Sequence, residues 1–405
     1  MNGINVLFLA NMYPLETDHI YSPLGFIRGE ENITFIQRSL IEGMERELGH
    51  GCSVINKMLV HPRKNKRVIY SEWNHLNQKC INFSYFCLPF FSSNILFLFA
   101  KKHIKNWLIE HEKMDKLVVA YGLTNYNLQA LAYAKKYSKV KTVLIIPDLP
   151  EYTKNNRNSL LLSLKNQLTN FITSLLEKKY LPEIDMLFLF SEKMASKLHR
   201  LFDYRIMEGI ATDNFSSIIP ERLFDKNNYI AFYGGGLHKR YGVDLLIDSL
   251  KYIKNDNYYL VICGNGDYVP EIEKMKLYDK RIIYLGVVPR HRFLALQLGS
   301  DLLINPRTSN QAFSDYSFPS KNMEFLSSGV PFIGFKLGGI PDEYDRFITY
   351  PKDETAQELA NSISTFINGN KEGYLAKALE AKEYVLTKKN KYEQARAIID
   401  SVTYQ

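Results

Sequence analysis

Short apolar runs alternate with amphipathic stretches from one end of the chain to the other. The runs have the length of buried strands, and the stretches between them carry apolar residues at helical spacing. Strands that alternate with helices in this way form parallel sheets covered by helices. The predicted strands are Asn5–Leu9, Leu117–Ala120, Lys141–Ile146 and Met186–Phe190 in the first half, and Tyr229–Tyr233, Tyr258–Cys263, Ile282–Leu285, Asp301–Asn305 and Pro331–Phe335 in the second.

The alternation lapses over residues 205–228, and this lapse predicts a domain boundary. We expect an α/β fold with two Rossmann-like domains, residues 1–207 and 208–384, that face each other across a cleft. Open sheets of this kind bind ligands at the carboxyl ends of their strands, so we expect the chemistry in strand-to-helix loops. Residues 372–403 are rich in Ala, Lys, Glu and Tyr, which predicts one or two long helices. We expect a helix over 385–405 to complete the N-terminal domain.

Composition narrows the class of protein. The 405-residue chain is 46% hydrophobic, which is enough for a large core. Its formal net charge of +8 suits an anionic partner such as a nucleotide, a lipid phosphate or an acidic membrane surface, although dispersed lysines with no partner give the same total. The four cysteines form no CxxC pair, which argues against a zinc site or a disulfide framework. The first residues lack the pattern of a signal peptide, and we expect a cytoplasmic protein.

One uncharged stretch raises the question of a membrane. Cys80–Ala100 is long enough to cross a bilayer. Polar residues and a proline interrupt it, so a strand at Ile81–Leu88 followed by an apolar helix explains the pattern equally well. Lys101, Lys102 and Lys105 flank that helix. We expect an aromatic, lysine-rimmed surface that rests on the cytoplasmic face of the membrane as a peripheral contact.

Two glycine-rich turns follow predicted strands of the second half. The first contains Gly235 and Gly236 and leads through Lys239 and Arg240 into a helix. Glycines let backbone N–H groups approach an anion closely, and the helix N-terminus and the two side chains add positive charge, so this turn has the outline of a diphosphate cradle. The second, Gly264–Gly266, would let the backbone pass close to a flat ligand such as a base. Taken alone, each is also compatible with an ordinary turn.

A helix is predicted from Pro319 to Gly329, because proline suits the first helical position and glycine the residue after the last. Free N–H groups near Ser317 would lie beside Lys321, and Glu324 would lie one turn further along the same face. A cation and amides suit a phosphate, and a carboxylate can accept hydrogen bonds from two ribose hydroxyls. A solvated surface pair of lysine and glutamate is the alternative.

These motifs together resemble a known family. The block INPR, followed by YSFPSKNMEFLSSGVPFIGFKLGGIPDEY, resembles the donor-binding half of family 4 glycosyltransferases of the GT-B fold, particularly bacterial enzymes that assemble capsular, exopolysaccharide or lipopolysaccharide chains. YGGGLHKRYGVDLL, VICGNGD and YLGVVP stand in the order of that family, within about residues 229–345. The N-terminal half resembles the family only in its strand–helix rhythm and in IIPDLPEY near the expected cleft.

The resemblance implies a retaining glycosyltransferase. Its donor would be a nucleotide-diphosphate sugar, with a UDP-sugar favoured, and its acceptor a glycan or a lipid-linked oligosaccharide. It implies no metal and no cofactor. Glu324 would hold the ribose hydroxyls, Lys321 and the first glycine-rich turn would face the diphosphate, and the loop with Val287 would hold the base. The other donor-binding residues that the resemblance implies are Gly235, Gly236, Gly264, Gly266, Arg307, Ser317 and Phe318.

The donor half departs from the family's pattern at two places. Tyr316 stands where the first glutamate of the E-x7-E motif usually lies, so recognition of the sugar hydroxyls is expected to pass to backbone amides or to Arg307. The usual arginine and lysine of the glycine-rich loop align with glycine and tyrosine. This leaves Lys239 and Arg240 as candidate substitutes, alongside Lys321, for the cations that act in catalysis.

A third departure lies in the first half. The family's frequent catalytic-pocket histidine aligns near Pro147, with Asp148 next to it. Asp148 is therefore a candidate for orienting an acceptor hydroxyl, and a local cap of the turn before LPEY is the alternative. Transfer without a protein nucleophile would proceed by front-face attack, in which the enzyme supplies positioning and electrostatic stabilisation.

Two other classes stay open at this stage. The missing glutamate and histidine are compatible with a noncatalytic partner that keeps the GT-B scaffold and works as a glycan-binding or stabilising subunit. A sugar-nucleotide epimerase of the same fold would also keep a ribose-binding glutamate. A nucleic-acid-binding protein has the least support, because the lysines are dispersed and no basic aromatic face stands out.

Overall fold

The computed structural model describes residues 3–12, 31–60, 72–75, 78–86, 92–149, 173–198 and 202–403. The chain divides into two compact units. The N-terminal unit contains Met1–Ile210 together with Lys391–Gln405, and the C-terminal unit contains Ala211–Asn390. Residues 208–210 and 385–390 therefore fall on the other side of the boundaries expected from the sequence.

An eight-stranded sheet in the order β3-β4-β2-β1-β5-β6-β7-β8 forms the centre of the N-terminal unit. Its neighbours pair in parallel, except that β3 is antiparallel to β4. The strands are β1 (Ile4–Ala10), β2 (Ser53–Val60), β3 (Glu72–His75), β4 (Gln78–Phe86), β5 (Asp115–Tyr121), β6 (Val140–Ile146), β7 (Met186–Leu189) and β8 (Tyr204–Ile206). The helices are α1 (Glu31–Leu48), α2 (Ser92–Glu110), α3 (Asn125–Ala134) and α4 (Glu192–Lys197), and residues 173–180 are also helical.

A five-stranded parallel sheet in the order β11-β10-β9-β12-β13 forms the centre of the C-terminal unit. Its strands are β9 (Tyr229–Gly236), β10 (Tyr258–Asn265), β11 (Ile282–Tyr284), β12 (Leu302–Asn305) and β13 (Phe332–Gly334). Its helices are α5 (Val243–Ser249), α6 (Val269–Met275), α7 (Arg290–Leu298), α8 (Ser320–Ser328), α9 (Ala356–Asn368) and α10 (Lys371–Lys388). The predicted α/β class with two parallel-sheet units is confirmed.

The central strands are apolar at nearly every position because helices cover both faces of each sheet. In β1, β5 and β6 the runs VLFLA, LVVAY and VLII are buried throughout. Parallel strands that are buried on both faces carry continuous apolar runs rather than an alternating pattern. This is why these strands could be predicted from hydrophobicity alone.

The uncharged stretch at residues 80–100 forms two elements. Strand β4 runs through Phe86 and helix α2 begins at Ser92, with residues 87–91 outside the described residues. The strand-and-helix interpretation is therefore the correct one of the two. Among the described residues, no helix combines the length and the apolar character needed to cross a membrane.

The final helix, α11 (Lys391–Thr403), packs against α1 within the N-terminal unit. The ammonium of Lys391 lies 2.5 Å from the carboxylate of Glu42, and the guanidinium of Arg396 donates twice to Glu47 at 3.1 Å. Gly43 faces the helix between these pairs. A Cβ atom at Gly43 would stand 2.3 Å from the carbonyl oxygen of Lys391, so only glycine fits this helix contact.

We expect Gly43→Ala to lower the free energy of unfolding by about 2–3 kcal/mol, because the methyl group must force α1 and α11 apart. Gly373→Ala in α10 is the matched control, since its nearest neighbour would lie 3.4 Å away, in ordinary contact. Replacing an accommodated helical glycine stabilises by about 0.5–1 kcal/mol. Urea unfolding of both variants measures the difference, and equal effects at the two positions would refute the close contact.

Candidate functional site

The carboxyl ends of β9 and β10 lie side by side and carry the two glycine-rich turns. Gly235 is opposite Gly264 in the parallel register. A Cβ atom at Gly264 would stand 1.9 Å from the carbonyl oxygen of Gly235, and one at Gly266 would stand 2.1 Å from that of Leu237. The glycines of the second turn thus let the two strand ends pack backbone to backbone. The space beside them is filled by the first turn.

Lys321 lies against the backbone of the first turn. Gly235 has a φ of 127°, in the region that favours glycine, and a Cβ atom there would stand 2.4 Å from Cε and 2.6 Å from Nζ of Lys321. The ammonium donates to the hydroxyl of Tyr233 at 3.0 Å and stands 4.1 Å from the centre of its ring. The structure therefore brings together the lysine and the glycine-rich turn that the sequence singled out separately.

The surroundings of Lys321 lower the pKa of its ammonium group. Removal from water lowers the pKa of Lys321 to about 7, the nearby carboxylate of Glu324 raises it, and the guanidinium of Arg307 lowers it further. An anion bound beside the ammonium would favour the charged form and raise the pKa again. The site is thus suited to take up a proton together with a negatively charged ligand.

Arg307 is a buried cation with fixed partners in the loop after β12. Its Nε donates to the hydroxyl of Ser314 at 3.1 Å and Nη2 to that of Ser317 at 2.9 Å. Both hydroxyls pass their own hydrogens to backbone carbonyls, Ser314 to Thr308 and Ser317 to Phe313. These bonds orient the guanidinium and occupy the hydroxyl of Ser317, so that residue would meet a ligand through its backbone.

Helix α8 begins at Ser320 and places Lys321 in its first turn. Pro319, the predicted first helical residue, is instead the N-cap with a ψ of 115°, so the helix begins one residue later than predicted. The helix ends at Gly329, as predicted. The ring of Phe318 is buried against Tyr344, with centroids 5.2 Å apart, so its side chain belongs to the core. Its backbone alone lies at the helix entrance, where N–H groups lack intrahelical acceptors.

Glu324 lies one turn beyond Lys321 and forms an ion pair with Arg290, the first residue of α7. The carboxylate side chain is mostly covered, whereas the arginine is half exposed. Because guanidinium and ribose hydroxyls compete for the same carboxylate oxygens, a ligand that uses Glu324 must share or displace Arg290. No sequence motif pointed to this arginine, which follows the predicted base-binding loop.

The remaining candidates of this unit lie at its surface. Lys239 is exposed with Nζ 3.7 Å from Asp244, and the guanidinium of Arg240 stands 5.0 Å from the ring centre of Tyr241. That ring also covers Gly236, where a Cβ atom would stand 3.0 Å from it. Lys239 is thus directed to α5 and Arg240 to its own turn. Val287 is 74% exposed beside Gly286.

Asp148 belongs to the N-terminal unit, two residues after β6, and its side chain is exposed. Burial, with a smaller contribution from the charge of Asp148, raises the pKa of the neighbouring Tyr121 at the end of β5. The aspartate therefore lies at the carboxyl edge of the first sheet, where an open α/β sheet binds ligands.

Two buried side-chain hydrogen bonds near the site were not predicted from the sequence. The amide of Asn305, the last residue of β12, donates to Asn322 at 2.7 Å and joins that strand to α8 beside Lys321. The hydroxyl of Tyr233 donates to the carbonyl of Gly236 at 2.9 Å. Both residues lie in or next to segments that the sequence did identify, but hydrophobicity and motif order carry no sign of side-chain pairing. Among the described residues, no group of three or more His, Cys, Asp or Glu is arranged to hold a metal ion.

The chain is similar in sequence to one protein family and in structure to several solved proteins. Residues 214–384 match the family described as glycosyl transferases group 1. No curated protein sequence matches the chain significantly. Among solved structures, sucrose-phosphate synthase from Thermosynechococcus elongatus has a TM-score of 0.66 at 15% identity, with coverage of 99% of this chain and 98% of that one.

Two further structures show the same likeness. One, titled trehalose-6-phosphate from E. coli bound with UDP-2-fluoro glucose, has a TM-score of 0.66 at 10% identity and 98% coverage of each chain. The other is WaaG, a glycosyltransferase involved in lipopolysaccharide biosynthesis, with a TM-score of 0.60 at 14% identity and coverage of 99% of this chain and 100% of that one. At such identities the likeness establishes the fold, and the family match adds the activity. The chain is therefore a glycosyltransferase of the GT-B fold.

Proposed function

We propose that this enzyme is a retaining, metal-independent glycosyltransferase that moves a sugar from a nucleotide-diphosphate donor to a growing, lipid-linked bacterial surface glycan. The observation that carries the proposal is the position of Lys321 against the first glycine-rich turn, with Glu324 one turn further along α8. A UDP-sugar is the favoured donor, supported by the related structure that holds UDP-2-fluoro glucose. WaaG, which acts in lipopolysaccharide biosynthesis, supports the surface-glycan acceptor.

The diphosphate would bind between the first glycine-rich turn and the N-terminus of α8. Lys321 supplies a cation there, the first-turn N–H groups of α8 supply donors, and Arg307 adds a second positive charge behind the loop. Fixed donors that face developing negative charge stabilise a leaving diphosphate without having to reorganise. Lys239 and Arg240 would contribute only after turning away from their present partners.

The nucleoside would extend from the diphosphate along α8 toward α7. Glu324 accepts hydrogen bonds from the two ribose hydroxyls, and Arg290 moves aside as they arrive. The backbone around Val287, exposed after β11, contacts the base. Gly264 and Gly266 serve indirectly, because their lack of side chains keeps the second turn against the first.

The sugar would lie beside the loop that contains Tyr316, Ser317 and Phe318. Because Arg307 already donates to two serine hydroxyls, backbone amides of this loop meet the sugar hydroxyls and Arg307 holds the loop in place. Among the described residues of the site, we assign none as a nucleophile. Front-face attack therefore suits it: the acceptor oxygen bonds to the anomeric carbon, the bond to the diphosphate breaks, and the acceptor proton passes to the leaving phosphate oxygen.

The N-terminal unit would bind the acceptor, with Asp148 orienting its hydroxyl from the carboxyl edge of the first sheet.

A lipid-linked acceptor also calls for contact with a membrane. Leu98, Lys102, Lys105 and Ile109 recur on one exposed face of α2, since residues spaced by three or four positions share a helix face. Leucine and isoleucine side chains that are 66% and 53% exposed, with lysines between them, suit the cytoplasmic surface of an anionic bilayer.

Catalysis at this site should not require a metal ion. We expect transferase activity to survive saturating EDTA, because the chain contains no DxD motif and the lysine and helix-end amides can neutralise the diphosphate. The measurement is turnover of the identified donor with EDTA and after re-addition of manganese or magnesium. Activity that vanishes with EDTA and returns with either metal would overturn the metal-independent mechanism.

Glu324 and Lys321 should contribute differently to donor binding and to turnover. Glu324→Ala should weaken both the donor and free nucleoside diphosphate by about 2–4 kcal/mol, as expected when charge-assisted hydrogen bonds are lost. Lys321→Ala should lower turnover more than donor affinity, because its charge matters most where negative charge grows on the leaving oxygen. Isothermal titration with nucleoside diphosphate and turnover assays measure the two effects.

Glu358→Ala, at a half-buried position in the first turn of α9, is the control for loss of a carboxylate and should bind the nucleotide normally. If Glu324→Ala is folded and binds nucleoside diphosphate with unchanged affinity, the ribose assignment fails. Mass analysis of products with and without a lipid-linked acceptor separates transfer from epimerisation of the donor.

The exposed face of α2 should bind reversibly to anionic membranes. The protein should float with anionic vesicles at low salt and dissociate as salt is added, because each lysine near such a surface contributes about 1 kcal/mol that ions screen. Leu98→Ser combined with Lys102→Glu should abolish flotation, while Lys276→Glu on the C-terminal unit should leave it unchanged. Flotation that is absent at low salt, or reversed only by detergent, would rule out this peripheral contact.

A further inference from the structure

Tyr233 is a fully buried residue of β9 whose hydroxyl reaches the candidate site. The other residues of the strand from Ile230 to Gly236 are all apolar or glycine, and a phenylalanine would fill the same volume. The hydroxyl is therefore the part of the side chain that calls for an explanation. Burying a hydroxyl is unfavourable unless it forms hydrogen bonds, and this one forms two.

The direction of these bonds is fixed by chemistry. An ammonium can only donate, so the hydroxyl accepts from Lys321 at 3.0 Å. The single hydrogen of the hydroxyl then goes to the carbonyl oxygen of Gly236 at 2.9 Å. A hydrogen-bonded chain thus runs from Lys321 through Tyr233 to the first glycine-rich turn.

The ring of Tyr233 supports the same position. The Lys321 ammonium stands 4.1 Å from its centre, where the negative face of an aromatic ring attracts a cation. On the other side of the lysine, Gly235 leaves the space that a Cβ atom would take. The ammonium is therefore held from strand β9, from the turn and from its own helix α8. A lysine side chain left free would lose rotamer entropy on binding a ligand, and here that loss is taken on folding.

We propose that Tyr233 is a positioning residue that holds the Lys321 ammonium against the first glycine-rich turn, ready for the diphosphate of the donor. This inference deepens the proposed function and rests on it. The hydroxyl and the ring face both favour the charged lysine, as does Glu324, whereas loss of hydration and the guanidinium of Arg307 oppose the charge. Tyr233 thus offsets part of the cost of keeping a cation in a poorly hydrated place.

Tyr233→Phe tests the inference because it removes only the hydroxyl. The matched control is Tyr258→Phe, which removes a buried hydroxyl from the neighbouring strand β10 that has no hydrogen-bond partner among the described residues. The first measurement is the pKa of Lys321 in the full-length protein without ligand. It is obtained from the rate of competitive acetylation of this lysine, determined by mass spectrometry from about pH 6 to about pH 10. We expect the pKa of Lys321 to fall in Tyr233→Phe and to stay unchanged in Tyr258→Phe.

The second measurement is turnover against pH. Since the charged lysine is the active form, activity falls as pH rises through its pKa. In Tyr233→Phe the decline should begin at lower pH and kcat should drop about tenfold with little change in KM, the pattern of an interaction made in the transition state. In a Lys321→Met background, Tyr233→Phe should have little further effect on kcat, because its action passes through the lysine.

The positioning role of Tyr233 and the proposed donor site can fail separately. Wild-type Lys321 ionisation and a wild-type pH profile in Tyr233→Phe would overturn the positioning role, and so would an equal loss of kcat in the Lys321→Met background. A changed lysine ionisation in a protein that binds no nucleoside diphosphate would leave the positioning intact and overturn the proposed donor site. A lower Tm with unchanged lysine ionisation would assign Tyr233 to packing alone.

Discussion

The close approach of a lysine side chain to the backbone of a strand end is the constraint on which the candidate site depends. Lys321 can reach the first glycine-rich turn only because Gly235 presents no side chain toward it. From that position follow the loss of hydration that lowers its pKa and its contact with Tyr233. Ser314 and Ser317 accept hydrogen bonds from Arg307 and so fix the orientation of a second cation near the site. Arg307 and Lys321 therefore have different hydrogen-bond partners.

The parts of the fold that hydrophobicity decides could be predicted from the sequence. Strands such as β5 and β6 are buried on both faces, and their apolar runs show this directly. Strand β2 was missed because Asn56 and Lys57 interrupt its apolar run. Both are buried, and their polar atoms are paired, Asn56 with the backbone of Met12 and Lys57 with Thr124. Such pairings depend on residues far away in the chain, which a local pattern cannot reveal.

The same division runs through the candidate site. The order of the motifs located the two turns and α8, and the helical spacing of Lys321 and Glu324 placed them on one face. Spacing could not say that Lys239 and Arg240 turn to other partners, that the side chain of Phe318 enters the core, or that Arg290 arrives from α7. Each of these outcomes is decided by packing between separate elements, where one side chain's position depends on several others.

The membership of α11 in the N-terminal unit bears on how the chain folds during synthesis. Domains generally fold as they emerge from the ribosome, with the N-terminal one first. Here α1 waits for a helix made some 350 residues later, as the pair between Lys391 and Glu42 spans 349 positions. The C-terminal unit, Ala211–Asn390, is contiguous and has no such delay. The second unit in the sequence can therefore finish folding first, while the face of α1 around Gly43 stays uncovered and available to a chaperone until translation of α11 is complete.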